Sequence, residues 1–197
     1  MVALFDDLCR ERDRGNASLV ILLDLSAAFD TIDHGVLLDR LAGMGIRGTV
    51  LQWFCSYLAD RVQRVVLGDS SSDPWRLCHG VPQGSILSPM LFNMHMKLLG
   101  EVVRRFGLRS QQYADDTQLY LSFFTNSSVA VAILNSCLDS IMDWMRVNKL
   151  RLNPEKSEVL LVGAPPHRLK GHFPALHGIT LPLKNKVCSL GCSLTQV

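Results

Sequence analysis

Three aspartates stand where the chain otherwise runs apolar. Asp24 interrupts the run LVILLDL (Leu19–Leu25), and Asp115 and Asp116 fall between two largely uncharged strand-like segments. A bare carboxylate beside buried strands is costly unless it is paired or bound to a metal. Carboxylates that converge without a neighbouring lysine or arginine suit a hard divalent cation, and magnesium prefers a few of them together with waters and substrate phosphates. Two such ions stabilise the attacking and leaving oxygens of a phosphoryl transfer. The plainer alternatives are that Asp24 caps a helix beginning near Ser26 and that Asp115-Asp116 is ordinary turn chemistry.

For the three to meet, strand ends must bring them together. Leu19–Leu25 reads as a buried strand carrying a carboxylate at its end. Gln111–Tyr113 and Thr117–Phe123 read as a hairpin with Ala114-Asp115-Asp116 at its tip. Around them the spacing predicts helices over Val2–Arg14, His34–Ala42 and Thr49–Ala59. A further long helix is predicted over Ser85–Arg105, with Ser85 or Ser88 as cap and Pro89 in its first turn. Another runs from Ser127 or Ser128, as cap, to about Val147. Arg61–Leu67 alternates as a strand does, Pro74–His79 could return it, Val159–Val162 is a short strand, and Val187–Leu194 a final hairpin arm. Interleaved strands and helices give an α+β class: an antiparallel sheet packed against helices on one face.

The four segments that hold these residues resemble, in order and spacing, the reverse transcriptases of LINE-type, non-LTR retrotransposons. LDLSAAFDTIDH (Leu23–His34) is similar to motif A of that family and HGVPQGSILSPMLFN (His79–Asn93) to motif B. QYADDTQLY (Gln112–Tyr120) is similar to motif C and NKLRLNPEKSEVLLVG (Asn148–Gly163) to motif D. SLGCSLT (Ser189–Thr195) resembles a degraded motif E, the primer grip: Leu190-Gly191 fits, but the acidic residue that usually follows is missing.

The resemblance implies a polymerase palm over residues 1–163 and a loop with a degraded motif E-like tail over 164–197. It implies RNA-directed DNA synthesis from an RNA template, a DNA primer and deoxynucleoside triphosphates, with two Mg2+ ions. Asp24 and Asp115 would hold the metals, with the Leu25 carbonyl as a further ligand, and Asp116 would support the site. Phe29 falls where the family keeps a bulky ring beneath the incoming sugar, one that collides with a ribose 2′-hydroxyl. An RNA-dependent RNA polymerase would not be expected to keep that ring. Gln83 and Gly84 fall where the family contacts nucleotide and template. Lys156 matches a motif D lysine that is a candidate for protonating the pyrophosphate leaving group; a lysine beside Pro154 and Glu155 also reads as plain surface.

About 23 residues precede Asp24 and little follows Leu194. The reading therefore expects fingers and thumb to be largely absent, a truncated retrotransposon remnant, and poor primer extension by the isolated chain. The competing class is a catalytically inactive palm-like remnant that binds or self-associates through exposed palm surface.

Composition fits a globular chain of 197 residues: 48% hydrophobic, 19% charged, with a net charge of only +2. That charge is too small to argue for nucleic acid by itself. The chain shows neither an apolar run of membrane length nor a secretory signal, so an intracellular setting off the membrane is expected. The six cysteines read as reduced, buried thiols. His172, His177, Cys188 and Cys192 are zinc-ligating types without the usual compact spacing.

Overall fold

The computed structural model describes residues 2–169, 171–176, 178–189 and 192–195. The chain runs α1 (Val2–Asp13), β1 (Ala17–Leu25), α2 (His34–Gly43) and α3 (Gly48–Leu58), then β2 (Val62–Gln63), β3 (Val66–Leu67), β4 (Ser70–Ser71) and β5 (Trp75–Arg76). It continues α4 (Leu87–Met96), α5 (Leu99–Arg104), β6 (Arg109–Tyr113), β7 (Asp116–Phe123), α6 (Ser127–Val147) and β8 (Leu152–Val162). After a 3-10 turn at Pro166–Leu169 come β9 (Ala175–Leu176), β10 (Ile179–Thr180), β11 (Leu183–Lys184), β12 (Lys186–Ser189) and β13 (Cys192–Thr195). This is an α+β fold.

The sheet has the order β11-β8-β1-β7-β6. Every pairing in it is antiparallel except the edge pair β11/β8. β1 lies at the centre, which is why its apolar run is continuous: both of its faces are covered. Leu19, Ile21, Leu23 and Leu25 face the larger core, built with residues of α2 to α6. Val20, with Tyr120 and Leu160 from its neighbours, meets Leu4 and Leu8 of α1 and Val187 and Leu194 of the last hairpin. Five helices thus pack the main core, while α1 and the β12/β13 hairpin cover the other face. Among the described residues no helix is long and apolar enough to cross a membrane.

Several boundaries differ from the sequence expectation, each for a physical reason. The long helix over Ser85–Arg105 is two, broken at Lys97-Leu98, with the poor helix former Gly100 just beyond the break. α6 is capped by Asn126, whose side chain accepts from the Val129 amide at 3.4 Å; Ser127 is buried inside the first turn. β8 starts at Leu152, seven residues earlier than expected, because Asn153 pairs with Asp24 across a register shift between Leu22 and Asp24. Pro154 sits in that bulge, a place where a strand tolerates proline. Arg61–Leu67 is not one strand: it folds into two short ribbons, β2/β5 and β3/β4, with Val62, Val65, Val66 and Leu67 exposed. Of the four cysteines whose side chains are described, only Cys137 is buried, and Cys55 and Cys78 are exposed. Leu190-Gly191 of the motif E-like tail and His177 lie outside the described residues.

Candidate functional site

The three aspartates meet at one end of the sheet. β1 and β7 are paired up to Leu23 opposite Thr117, so Asp24 and Asp116 are the next facing residues on the two central strands. β6 and β7 close at Tyr113 opposite Asp116, leaving Ala114-Asp115 as a two-residue loop. Ala114 has φ 51°, a left-handed conformation in which a Cβ costs about 1–2 kcal/mol. The hairpin thus accepts strain next to Asp115. Ala27, just beyond β1, is in the same region at φ 49°.

The carboxylates feel one another. The Asp116 carboxyl is pushed above its ordinary value, first by burial and then by the charges of Asp115 and Asp24. Such crowding of like charge is relieved by a cation. Among the described residues no three metal-ligating side chains close into a ready-made cage. Magnesium needs no such cage, since one or two carboxylates with waters and phosphates suffice for it. The donor set here, half-exposed oxygens at an open strand end, fits that mode of binding.

Beside the carboxylates opens a cavity of about 490 Å3 whose wall includes Leu25, Phe29, Asp30, Gln83, Gly84 and Asp115, with no basic side chain. Five of the sequence-predicted residues are therefore gathered in one wall. Asp24 and Asp116 stand at its margin by register. Lys156 is exposed in the bulged stretch of β8 opposite Leu23 and is not part of the wall. The Phe29 ring packs on Phe92 of α4, centroids 4.9 Å apart, which fixes its place at the cavity edge. Gly84 has φ +79° and open space where a Cβ would stand. The backbone conformation therefore demands glycine there, rather than lack of room.

Two loops build the wall, one after β1 and one before α4, and they are fastened together. The Val81 amide donates to the Phe29 carbonyl at 2.8 Å and the Gly80 amide to the Ile32 carbonyl at 2.8 Å. The His34 ring is 2.7 Å from the Gly80 carbonyl, and Asp33 bridges to His79. At Gly80 a Cβ would lie 2.9 Å from the Asp30 Cα and from the Asp30 and Phe29 carbonyl oxygens, and φ is +84°. Asp33 caps α2 through the Val36 amide at 3.0 Å and takes the Lys149 ammonium at 2.6 Å. The Lys149 bond holds the Asp33 carboxyl below its ordinary value. Gln83 donates through Nε2 to both carboxylate oxygens of Asp30, at 2.8 and 2.9 Å. The Ser88 hydroxyl donates to the Pro82 carbonyl at 2.5 Å.

Sequence reasoning missed Gly80, Asp30 and the Asp33–Lys149 pair. Gly80 was findable: a glycine flanked by His79 and Val81 ahead of Pro82 invites the question of close backbone approach. Asp30 gave no signal, because an acidic residue after Phe29 reads as surface.

The family described as reverse transcriptase (RNA-dependent DNA polymerase) matches residues 3–193. The chain is 28% identical over 158 residues to a Pol polyprotein from the type-1 retrotransposable element R2 of Popillia japonica, covering 74% of this chain and 24% of that one. It is 30% identical over 146 residues to the Pol polyprotein of the type-2 element R2DM of Drosophila melanogaster, covering 68% and 13%. The chain thus spans a quarter or less of the length of these relatives. Among solved structures, apo telomerase from Candida tropicalis truncated from its C-terminal domain superposes with a TM-score of 0.68 at 13% identity, over 99% of this chain and 38% of that one. Telomerase from Candida albicans, solved with a fragment of telomeric RNA, gives 0.66 at 13%, over 99% and 32%. At that identity the likeness speaks for the fold.

Proposed function

The chain belongs to the reverse transcriptase (RNA-dependent DNA polymerase) family, and on that footing we propose that it adds deoxynucleotides to a DNA primer on an RNA template. The observation that carries this is the meeting of Asp24, Asp115 and Asp116 at adjacent strand ends beside the wall that holds Phe29, Gln83 and Gly84. Asp24 and Asp115, with the Leu25 carbonyl, would hold two Mg2+ ions, which supply charge stabilisation to the attacking and leaving oxygens of nucleotidyl transfer. Asp116, crowded by both, supports the site electrostatically.

The remaining roles belong to the cavity. Phe29, braced by Phe92, sets the height of the floor under the sugar and turns away a ribose 2′-hydroxyl. Gln83 offers hydrogen bonds to nucleotide or template, and Gly84 lets the backbone approach them. Lys156, across the bulge from the Asp24 strand, would reach leaving-group oxygens only by swinging its side chain inward.

The test is primer extension on an RNA template with magnesium. With a net charge of +2 the chain holds nucleic acid weakly, so extension is expected to be slow and to fade steeply with salt. It is expected to vanish in Asp115→Asn, and Phe29→Val is expected to admit ribonucleotides while sparing DNA synthesis. Extension that survives Asp115→Asn contradicts the proposal; unchanged sugar discrimination in Phe29→Val returns Phe29 to the core.

A further inference from the structure

Gln83 reaches the cavity with an amide, and an amide has two faces: an NH2 group that donates and a carbonyl oxygen that accepts. Which of them meets a ligand decides what the residue can recognise. In this structure the choice is made by one neighbour. The Nε2 group lies 2.8 and 2.9 Å from the two oxygens of Asp30. A carboxylate can only accept, so the NH2 group must turn to it. The carbonyl oxygen is left without a hydrogen-bond partner among the described residues. Both residues line the cavity of about 490 Å3 and a second cavity of about 550 Å3 that also contains Arg61, Gln63, His79 and Pro82. The pair therefore stands as a partition between the two.

Both side chains are exposed, and an exposed pair ordinarily contributes little because two mobile groups must be ordered to make it. Here the ordering is done in advance by the backbone. The Val81–Phe29 and Gly80–Ile32 hydrogen bonds, and the absence of room for any Cβ at Gly80, fix the loop of Asp30 against the loop of Gln83. Little remains to be lost when the charged hydrogen bond forms, and a charge-assisted bond is the stronger kind.

We propose that Asp30 is a positioning residue: it engages the Gln83 NH2 group and so leaves the carbonyl oxygen as the face that Gln83 offers to the nucleotide. Gln83 accordingly recognises a hydrogen-bond donor, a hydroxyl or amine of the incoming nucleotide or its template partner. This rests on the polymerase reading for the identity of the ligand, but not for the lock itself.

The experiment has two arms. In the first, the side-chain NH2 signals of Gln83 are followed by nitrogen-edited NMR in the full chain without ligand. They are expected to be shifted and slow to exchange with water, and to lose both properties in Asp30→Ala. In Asp30→Asn the neighbour offers both a donor and an acceptor, so the amide is freed to flip and the signals are expected to broaden. NH2 signals that match a free glutamine and ignore both variants overturn the lock.

In the second arm, binding of a deoxynucleoside triphosphate with magnesium is titrated in a swap. Gln83→Glu places two carboxylates face to face and is expected to weaken binding about tenfold, the scale of one charge-assisted hydrogen bond. Adding Asp30→Asn to Gln83→Glu restores a donor at position 30 and leaves an acceptor toward the cavity, so binding is expected to return to within about threefold of the original. Additive losses in the double variant overturn the assignment of Asp30 as the orienting group. Loss of the NH2 signature with nucleotide binding intact removes the lock and leaves the polymerase reading standing. An intact signature in a chain that binds no nucleotide does the reverse.

Discussion

The two fastened loops and the ribbon that leads into the second of them are opposites in construction. Residues 26–34 and 79–85 exchange hydrogen bonds with each other and, through Asp33 and Lys149, with the turn after α6. Residues 61–77 pair mainly with themselves, as β2/β5 and β3/β4. They leave Val65, Val66, Leu67 and Trp75 between 68% and 83% exposed. The first region trades freedom for placement of Phe29, Asp30 and Gln83 against one cavity. The second has no core of its own. The lesson is that the site's geometry is set where backbone meets backbone across the two loops.

The strongest way to break this contrast is Gly80→Ala. The added Cβ meets the Phe29–Asp30 backbone at 2.9 Å, and the residue must keep a left-handed φ. Left-handed strain of about 1–2 kcal/mol and overpacking of about 1–3 together predict a loss of roughly 2–5 kcal/mol in urea unfolding. A change under about 0.5 kcal/mol would show that the two loops are not fastened as described.

Asp33→Ala removes a helix cap and the anchor for Lys149, and about 1–2 kcal/mol is expected at neutral pH. The sign of its pH dependence follows from its lowered folded value. Its stabilisation is present above the unfolded carboxyl value and is lost as pH falls through the folded one. The gap between the original chain and Asp33→Ala should therefore close in acid; a gap that widens there contradicts the assignment.

On the ribbon, Leu67→Ser and Trp75→Ser are expected to change stability by no more than about 0.5 kcal/mol, since neither side chain is buried. Their effect should appear in light scattering, as less self-association in concentrated solution, because they shrink an exposed apolar patch. A large stability loss instead would mean that the ribbon is packed and the contrast is false.

The contrast also explains what the sequence revealed. LVILLDL announces a strand with both faces covered because burial leaves a continuous apolar run, and β1 is that strand. Asp24, Asp115, Asp116, Phe29, Gln83 and Gly84 were legible from motif order, and the fold brings them to one end of the sheet. What escaped was relational. The Asn153–Asp24 pairing that extends β8 through Pro154 depends on a bulge that no local pattern encodes. Asp30 matters only because Gln83, 53 positions away, is folded onto it. Arg61–Leu67 alternates as a strand would, yet neither of its faces has a core to meet. Periodicity reports what a segment could bury and is silent on whether anything arrives to bury it.

The central claim is that the crowded end of the sheet is a divalent-cation site held by Asp24 and Asp115. The most direct measurement is titration of the full chain with manganese, a paramagnetic substitute for magnesium, followed by NMR line broadening. The account predicts saturable broadening centred on Leu25 and on Ala114 to Asp116, reversed by excess magnesium, and an affinity at least about tenfold weaker in Asp115→Asn. Broadening that bypasses this end of β1, or that is the same in Asp115→Asn, would contradict it.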